Sequence, residues 1–354
     1  MLNTVYRLVA PRRFEVAFSD IQLFKENQVI VRPQFLSICH ADQRYYQGLR
    51  PAAILSKKLP MALIHESVGV VVQSCSDKVK VGDKVVMIPN TPVEKDEYIA
   101  ENYLRSSKFR ASGFDGFMQD LVALDADRVV KVPEEIDNHV AAFIELMSVS
   151  VHAILRFKNF SHGRRDNIAI FGDGNLGFIT GIFLKSMLPD SKLSIFGVND
   201  DKLASFSFAD NTYNVAGELK NLSFDHAFEC VGNAASGQAI EQIIDFINPE
   251  GTISLLGVSE YPVPINTRMV LEKGLKLFGS SRSGREDFKM TVNMLSENPW
   301  MVNYLSNIIN NIVPIRNMTD MNRAFELDIQ KPGGKTIMEW DKSVSYTHLR
   351  AHET

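Results

Sequence analysis

The sequence predicts an α/β protein of two domains, a β-rich one at the start of the chain and one built on a doubly wound parallel sheet after it. Three observations point there. The chain has 354 residues with 45% hydrophobic content, enough to bury two cores. Its first part carries short β-branched runs cut by Gly, Pro and Asp turns. From about Val149 apolar strands alternate with helical stretches, the texture of a parallel sheet with helices on both faces.

In chain order, "NQVIVRPQFL", "ESVGVVVQS" and "VGDKVVMIP" are the first predicted strands. The polar stretch "NTPVEKDEYIAENYLRSSKFRASGFDG" reads as a partly helical excursion. A helix through Val151–Phe157 leads into "NIAIFGDGNLGFITGIFLKSM", and "KLSIFGV", "FDHAFECVG", "GTISLLGV" and "LKLFGSS" supply the later strands. The domains expected are residues 1–148 with 286–342, and 149–285. "GGKTIMEWDK" reads as a closing strand. The segment 343–354, "SVSYTHLRAHET", has no periodicity, resembles translated sequencing-adaptor read-through and is set aside with His348 and His352.

Several classes drop out. A net charge of -4 gives no basic field for nucleic acid, and no apolar run reaches the roughly 18 residues of a membrane span. The N-terminus lacks the apolar core and cleavage site of a secretory signal, so a cytoplasmic protein with reduced thiols is expected. The three cysteines, Cys39, Cys75 and Cys230, lie far apart, which excludes a disulfide framework and a four-cysteine structural zinc lobe.

"GDGNLG" places Gly172, Gly174 and Gly177 in G-x-G-x-x-G spacing between a strand and an apolar helix. In that context the first glycine makes a tight turn, the second admits a pyrophosphate and the third lets helix pack on strand, as in Rossmann dinucleotide sites. The acid that binds the adenosine ribose is expected about 20 residues on, where Gly197 stands. Its absence tilts the cofactor towards NADP, with Asn199 and Lys202 as candidates for the 2′-phosphate. Asp200 and Asp201 would restore an acidic reader under a small shift of register.

"SICHADQRYYQG" and "LIHESVGVV" bring Cys39, His65 and Glu66 into view. Cysteine thiolate and imidazole are typical zinc ligands, and a catalytic zinc takes three protein ligands with one position open. The C-x-x-D turn of Cys39 and Asp42, the His65–Glu66 pair and Glu145 in "IELMSVSVHA" resemble the signature of the zinc-dependent medium-chain dehydrogenase/reductases. That resemblance implies a GroES-like fold for the β-rich catalytic domain and one zinc per chain on Cys39 and His65. Glu66 and Glu145 would compete for the remaining position, and Asp42 would accept a hydrogen bond from the second nitrogen of His65. His40 reads as a solvated neighbour. Where the family usually carries a relay hydroxyl this chain has Ala41, so proton delivery falls to Glu145 with zinc-bound water, or to Tyr45.

Within that family "CHADQRYYQG", "LPMALIHES", "SGFDGFM", "FDHAFECVG", "GVSEYPVPINTR" and "LEKGLKLFGSSRSGR" are similar to the ribulose-5-phosphate reductases of CDP-ribitol synthesis. The similarity implies NADPH-dependent reduction of D-ribulose 5-phosphate to D-ribitol 5-phosphate for wall teichoic acid or capsule. It also implies a cytidylyltransferase that takes the product, and a homodimer through the cofactor-domain sheet edge. Substrate phosphate is expected at Arg282 of "GSSRSGR", with Arg44 as a second candidate, while Lys57 and Lys58 read as surface residues. The alternatives are an NAD-dependent dehydrogenase of an unphosphorylated polyol, a zinc-free reductase and a binding protein on the same fold.

Overall fold

The N-terminal unit grows from the alternating strand β1 (Leu2–Ala10), which pairs antiparallel with β2 (Arg13–Asp20) so that Val5 faces Ala17. The computed structural model describes residues 1–21 and 26–340, so the tail from Ser343 lies outside the described residues. Next come β3 (Gln28–Ser37), α1 (His40–Tyr46), α2 (Ala52–Lys58), β4 (Met61–Ala62), β5 (Glu66–Ser74) and β6 (Lys84–Met87). The apolar runs of β3, β5 and β6 are buried along most of their length, as strands covered on both faces require.

The polar excursion is not helical. Only β7 (Asn90–Thr91) and β8 (Lys108–Phe109) pair there, Asn90 opposite Phe109, and turns fill the rest. The Asp96 carboxylate accepts the N–H groups of Tyr98 and Ile99 at 2.7 and 2.8 Å, the local bonding by which aspartate competes with a helix. β9 (Val122–Asp125), β10 (Val129–Lys131), α3 (Asn138–Ala141) and α4 (Ile144–Phe160) follow, with Glu145 in the first turn of α4.

The chain divides into two compact units, Met1–Glu145 with the chain from Ser283, and Leu146–Arg282. The second unit holds β11 (Asn167–Phe171), α5 (Asn175–Met187), β12 (Lys192–Gly197), α6 (Asp200–Ala204), β13 (Asn211–Asn214), β14 (Phe224–Glu229), α7 (Ala235–Phe246), β15 (Ile247–Leu255), α8 (Thr267–Lys273) and β16 (Lys276–Gly279). All six strands are parallel in the order β13-β12-β11-β14-β15-β16. Strand order reverses at β11, which opens a crevice at the carboxyl ends where such sheets take ligands. β13, "NTYN", is too short and polar to announce itself in the sequence.

The chain returns to the first unit through α9 (Arg285–Glu297), α10 (Pro299–Ser306), β17 (Ile309–Pro314), α11 (Met318–Gln330) and β18 (Lys335–Glu339). β18 lies between β17 and β3, antiparallel to β3 with Ile337 opposite Ser37, in a sheet ordered β10-β6-β5-β3-β18-β17. The core of this unit includes Phe14, Tyr46, Phe117, Phe325 and Trp340. Among the described residues no helix is long and apolar enough to cross a membrane.

Candidate active site

Cys39 is the N-cap of α1. Asp42, three residues on, returns a carboxylate oxygen to the Cys39 N–H at 3.1 Å, and its other oxygen accepts the Ile64 N–H at 3.0 Å. One buried side chain thus ties the turn that presents Cys39 to the segment that presents His65. The expected bond from Asp42 to the imidazole is not formed: Oδ1 lies 3.6 Å from His65 Nδ1, an ion-pair distance and too long for a hydrogen bond. Ile64 is held at φ 71°, a conformation that costs a β-branched residue about 1–3 kcal/mol and persists only where its surroundings over-determine it. Its N–H goes to Asp42 and its carbonyl accepts from Phe117 at 2.7 Å.

His65 is the hinge of the donor set. Its ring nitrogens lie within 4.8 Å of donor atoms of Cys39 and Asp42 on one side, and within the same distance of Glu66 and Glu145 on the other. Glu66 opens β5 and is fully buried, and Glu145 is nearly so. Burial and the adjacent Glu66 raise the Glu145 carboxyl to about 7. Burial opposes a charge on His65, yet Asp42 and Cys39 outweigh it and hold the imidazole well above its ordinary range. The Cys39 thiolate and the carboxylates of Glu66 and Glu145, buried around one imidazole, repel one another as anions, and a divalent cation relieves that repulsion. Sulfur with nitrogen and oxygen suits zinc, so the residues present fit the metal.

The sequence did not disclose Lys335. At the start of β18 its Nζ lies 3.0 and 2.7 Å from the two oxygens of Glu66 and donates to the Ile38 carbonyl at 3.0 Å, with the side chain 2% exposed. No motif marks it, because a lysine opening a strand is ordinarily a solvated end; only the burial distinguishes it.

The other residues of α1 separate. Tyr46 is structural, its hydroxyl bonded to Asn322 and Glu326 at 3.2 and 2.9 Å. The Tyr45 hydroxyl is buried with no hydrogen-bond partner among the described residues, and the Arg50 guanidinium lies 4.2 Å over its ring. Arg44 is half-buried in the last turn of α1, and His40 is exposed. Lys58 is half-buried and not a free surface residue: it donates to Ser112 at 2.9 Å.

In the second unit the three glycines span the turn from β11 into α5. Gly172 sits at φ +128°, and a Cβ there would lie 2.9 Å from the Cys230 backbone; one on Gly177 would lie 2.0 Å from the Gly172 carbonyl. Gly174 faces open space and caps α5 without a side chain, which leaves the head of a helix clear for phosphate. A cavity of about 210 Å³ is lined by Gly172, Asp173, Gly174, Gly197, Val198 and Gln238. Gly197 ends β12 as counted. Asn199 caps α6 by accepting the Lys202 N–H at 2.9 Å, and Asp200 is taken up by Asn214 at 2.7 Å. Arg282, half-buried and held at φ 59°, follows the end of β16.

An alcohol dehydrogenase GroES-like domain matches residues 25–134 and a zinc-binding dehydrogenase domain matches residues 201–297. Over 341 residues, 96% of this chain and 100% of the relative, the sequence is 52% identical to a ribulose-5-phosphate reductase of Bacillus spizizenii. The chain belongs to the zinc-dependent medium-chain dehydrogenase/reductase family. This dehydrogenase is also 51% identical over 340 residues to ribulose-5-phosphate reductase 1 of Staphylococcus aureus, covering 96% of the chain and 99% of the relative. The crystal structure of S. aureus TarJ in complex with NADPH matches the dehydrogenase with a TM-score of 0.86 at 46% identity, over 96% of this chain and 99% of that one. The GroES-like and Rossmann folds expected from the sequence are therefore those of the dehydrogenase.

Proposed function

We propose that the enzyme reduces D-ribulose 5-phosphate to D-ribitol 5-phosphate with NADPH and one zinc per chain. The observation that carries this is the half-identical, nearly full-length likeness to ribulose-5-phosphate reductases, joined to a buried donor set of the right chemistry. When bound, zinc supplies a Lewis acid for the ketone oxygen and the nicotinamide supplies hydride.

The chain's own residues do the rest. Cys39 and His65 hold the metal with Glu66 or Glu145, and Lys335 balances the charge of Glu66. Asp42 fixes the spacing of Cys39 and His65 through two backbone amides. A proton must reach the new alcohol without a hydroxyl at Ala41. Among the described residues of this unit, Glu145 and the Tyr45 phenol, which has no partner there, are the candidate donors. Gly172, Gly174 and Gly177 seat the pyrophosphate, Gly197 leaves out the acid that would oppose a 2′-phosphate, and Asn199 and Lys202 stand beside that position. Arg282, at the carboxyl end of the parallel sheet, reads the substrate phosphate, and Arg44 is the second candidate for that role. The enzyme acts in the cytoplasm as a homodimer through an edge of the cofactor-domain sheet, and its product goes to a cytidylyltransferase that makes CDP-ribitol for wall or capsule polymers.

The test is a matrix of initial rates for the purified protein: ribulose 5-phosphate, ribulose and sorbitol or ribitol, each with the matching form of NADP and NAD. Ribulose 5-phosphate with NADPH should give the highest kcat/KM. Better turnover of the unphosphorylated compounds would make the protein a plain polyol dehydrogenase, and no turnover of any would make it a binding protein on this fold.

A further inference from the structure

A carboxylate stands at the end of β12 although β12 does not supply it. Asp173, the variable residue after the first glycine of "GDGNLG", reaches across the turn, and its Oδ2 accepts the N–H of Val198 at 2.8 Å and of Asn199 at 2.9 Å. Gly197 makes the room. A Cβ at that position would lie 2.6 Å from Asp173 Cβ and 2.7 Å from Oδ2. The missing acid of β12 and the acid in the glycine turn are therefore one device, in which a carboxylate from the neighbouring loop fills the space a side chain on residue 197 would take. Asp173 is half-buried and lines the same cavity as Gly174, Gly197 and Val198.

We propose that Asp173 sets how far the enzyme discriminates between NADPH and NADH. A carboxylate at the end of the second strand is where such folds bind the adenosine ribose hydroxyls and oppose a 2′-phosphate. Asp173 puts that charge there from a different point in the chain. The preference for NADPH left by Gly197 is thereby held below what an uncharged residue at 173 would give, and NADH remains usable.

A purely structural role, pinning the turn after β12, is the competing account, and Asp173→Asn separates the two. The carboxamide oxygen can still accept both N–H groups while the charge is gone. Dissociation constants for NADPH and NADH are read from nicotinamide fluorescence without any sugar phosphate. The inference rests on the cofactor site proposed above, and leaving out the substrate keeps its failure distinct from a failure of the substrate assignment. The ratio Kd(NADH)/Kd(NADPH) should rise by about tenfold, the effect of removing one like-charge contact at a partly exposed site. Equal shifts in both constants, or a ratio that stays or falls, would overturn the proposal. Should the Asn variant fail to fold, Asp173→Ser, whose hydroxyl also accepts from an amide, is held to the same ratio.

Discussion

Replacing Lys335 by methionine removes the cation that meets Glu66 and keeps the length of the side chain. The two side chains are 2% and 0% exposed and 2.7 Å apart, so water cannot take the place of the ammonium. In the zinc-free protein Glu66 is then left without the cation that meets both its oxygens, which costs about 3–5 kcal/mol. With a slope near 3 kcal/mol/M, such a loss moves the urea midpoint down by roughly 1–2 M. Intrinsic fluorescence is the right probe because both tryptophans, Trp300 and Trp340, lie in the unit that holds Lys335. The double variant Glu66→Gln with Lys335→Met should regain at least half of the loss, since the unpaired charge goes with its partner. A midpoint shift below about 0.3 M in the single variant, or no recovery in the double, would show that the pair does not carry the energy assigned to it.

Cys39→Ala should bring zinc, measured by elemental analysis, from one per chain to near zero and abolish ketone reduction; full activity would remove Cys39 from the ligand set. Arg282→Ala should lower kcat/KM for ribulose 5-phosphate by about ten- to a hundredfold, the loss of a charge-assisted bond, and lower it less for ribulose. Equal losses on both would mean that Arg282 does not read the phosphate. His226 is buried with Nδ1 accepting the Thr252 N–H at 3.1 Å and Nε2 donating to the Arg164 carbonyl at 2.9 Å. Burial, then the neighbouring His162, lowers it to about 4. Its folded value lies below its unfolded one, so its contribution is complete above pH 6.5 and fades as pH falls towards 4, by about 3 kcal/mol in all. Calorimetry from pH 7.5 to 5 should show a steeper loss of Tm in the parent than in His226→Gln, and parallel curves would refute it.

What the sequence disclosed was whatever is local. The glycine motif sits between its own strand and helix, so spacing alone positions Gly172, Gly174 and Gly177. Cys39 and His65 each lie beside the strand that carries them, and Glu145 opens a helix whose apolar spacing is plain. What it withheld depends on distant pairing. Glu66 and Lys335 are 269 residues apart, and nothing near Lys335 says that it is buried. Asp173 occupies a variable position of its motif, so its bonds to Val198 and Asn199 follow only from the return of β12 beside it. The excursion between Asn90 and Gly116 looked partly helical because charge and polarity are as common on helix faces as in turns; the bonding of Asp96 decides for turns.

The insertion of β18 between β3 and β17 has a consequence for the newborn chain. At roughly 5–20 residues per second, the 269 residues between Glu66 and Lys335 take the ribosome on the order of 15–50 s to translate. Until then the stretch of β3 from Phe35 to Ser37 waits for the partner it finds in β18, and Glu66 waits for its counter-charge. The second unit, whose strands are all encoded between those two events, can complete its sheet in the interval. Closure of the first unit is thus timed by β18, the last of the described strands to leave the ribosome, and a message cut short before codon 335 should yield a protein with a finished parallel sheet and an open sheet edge beside Cys39 and His65.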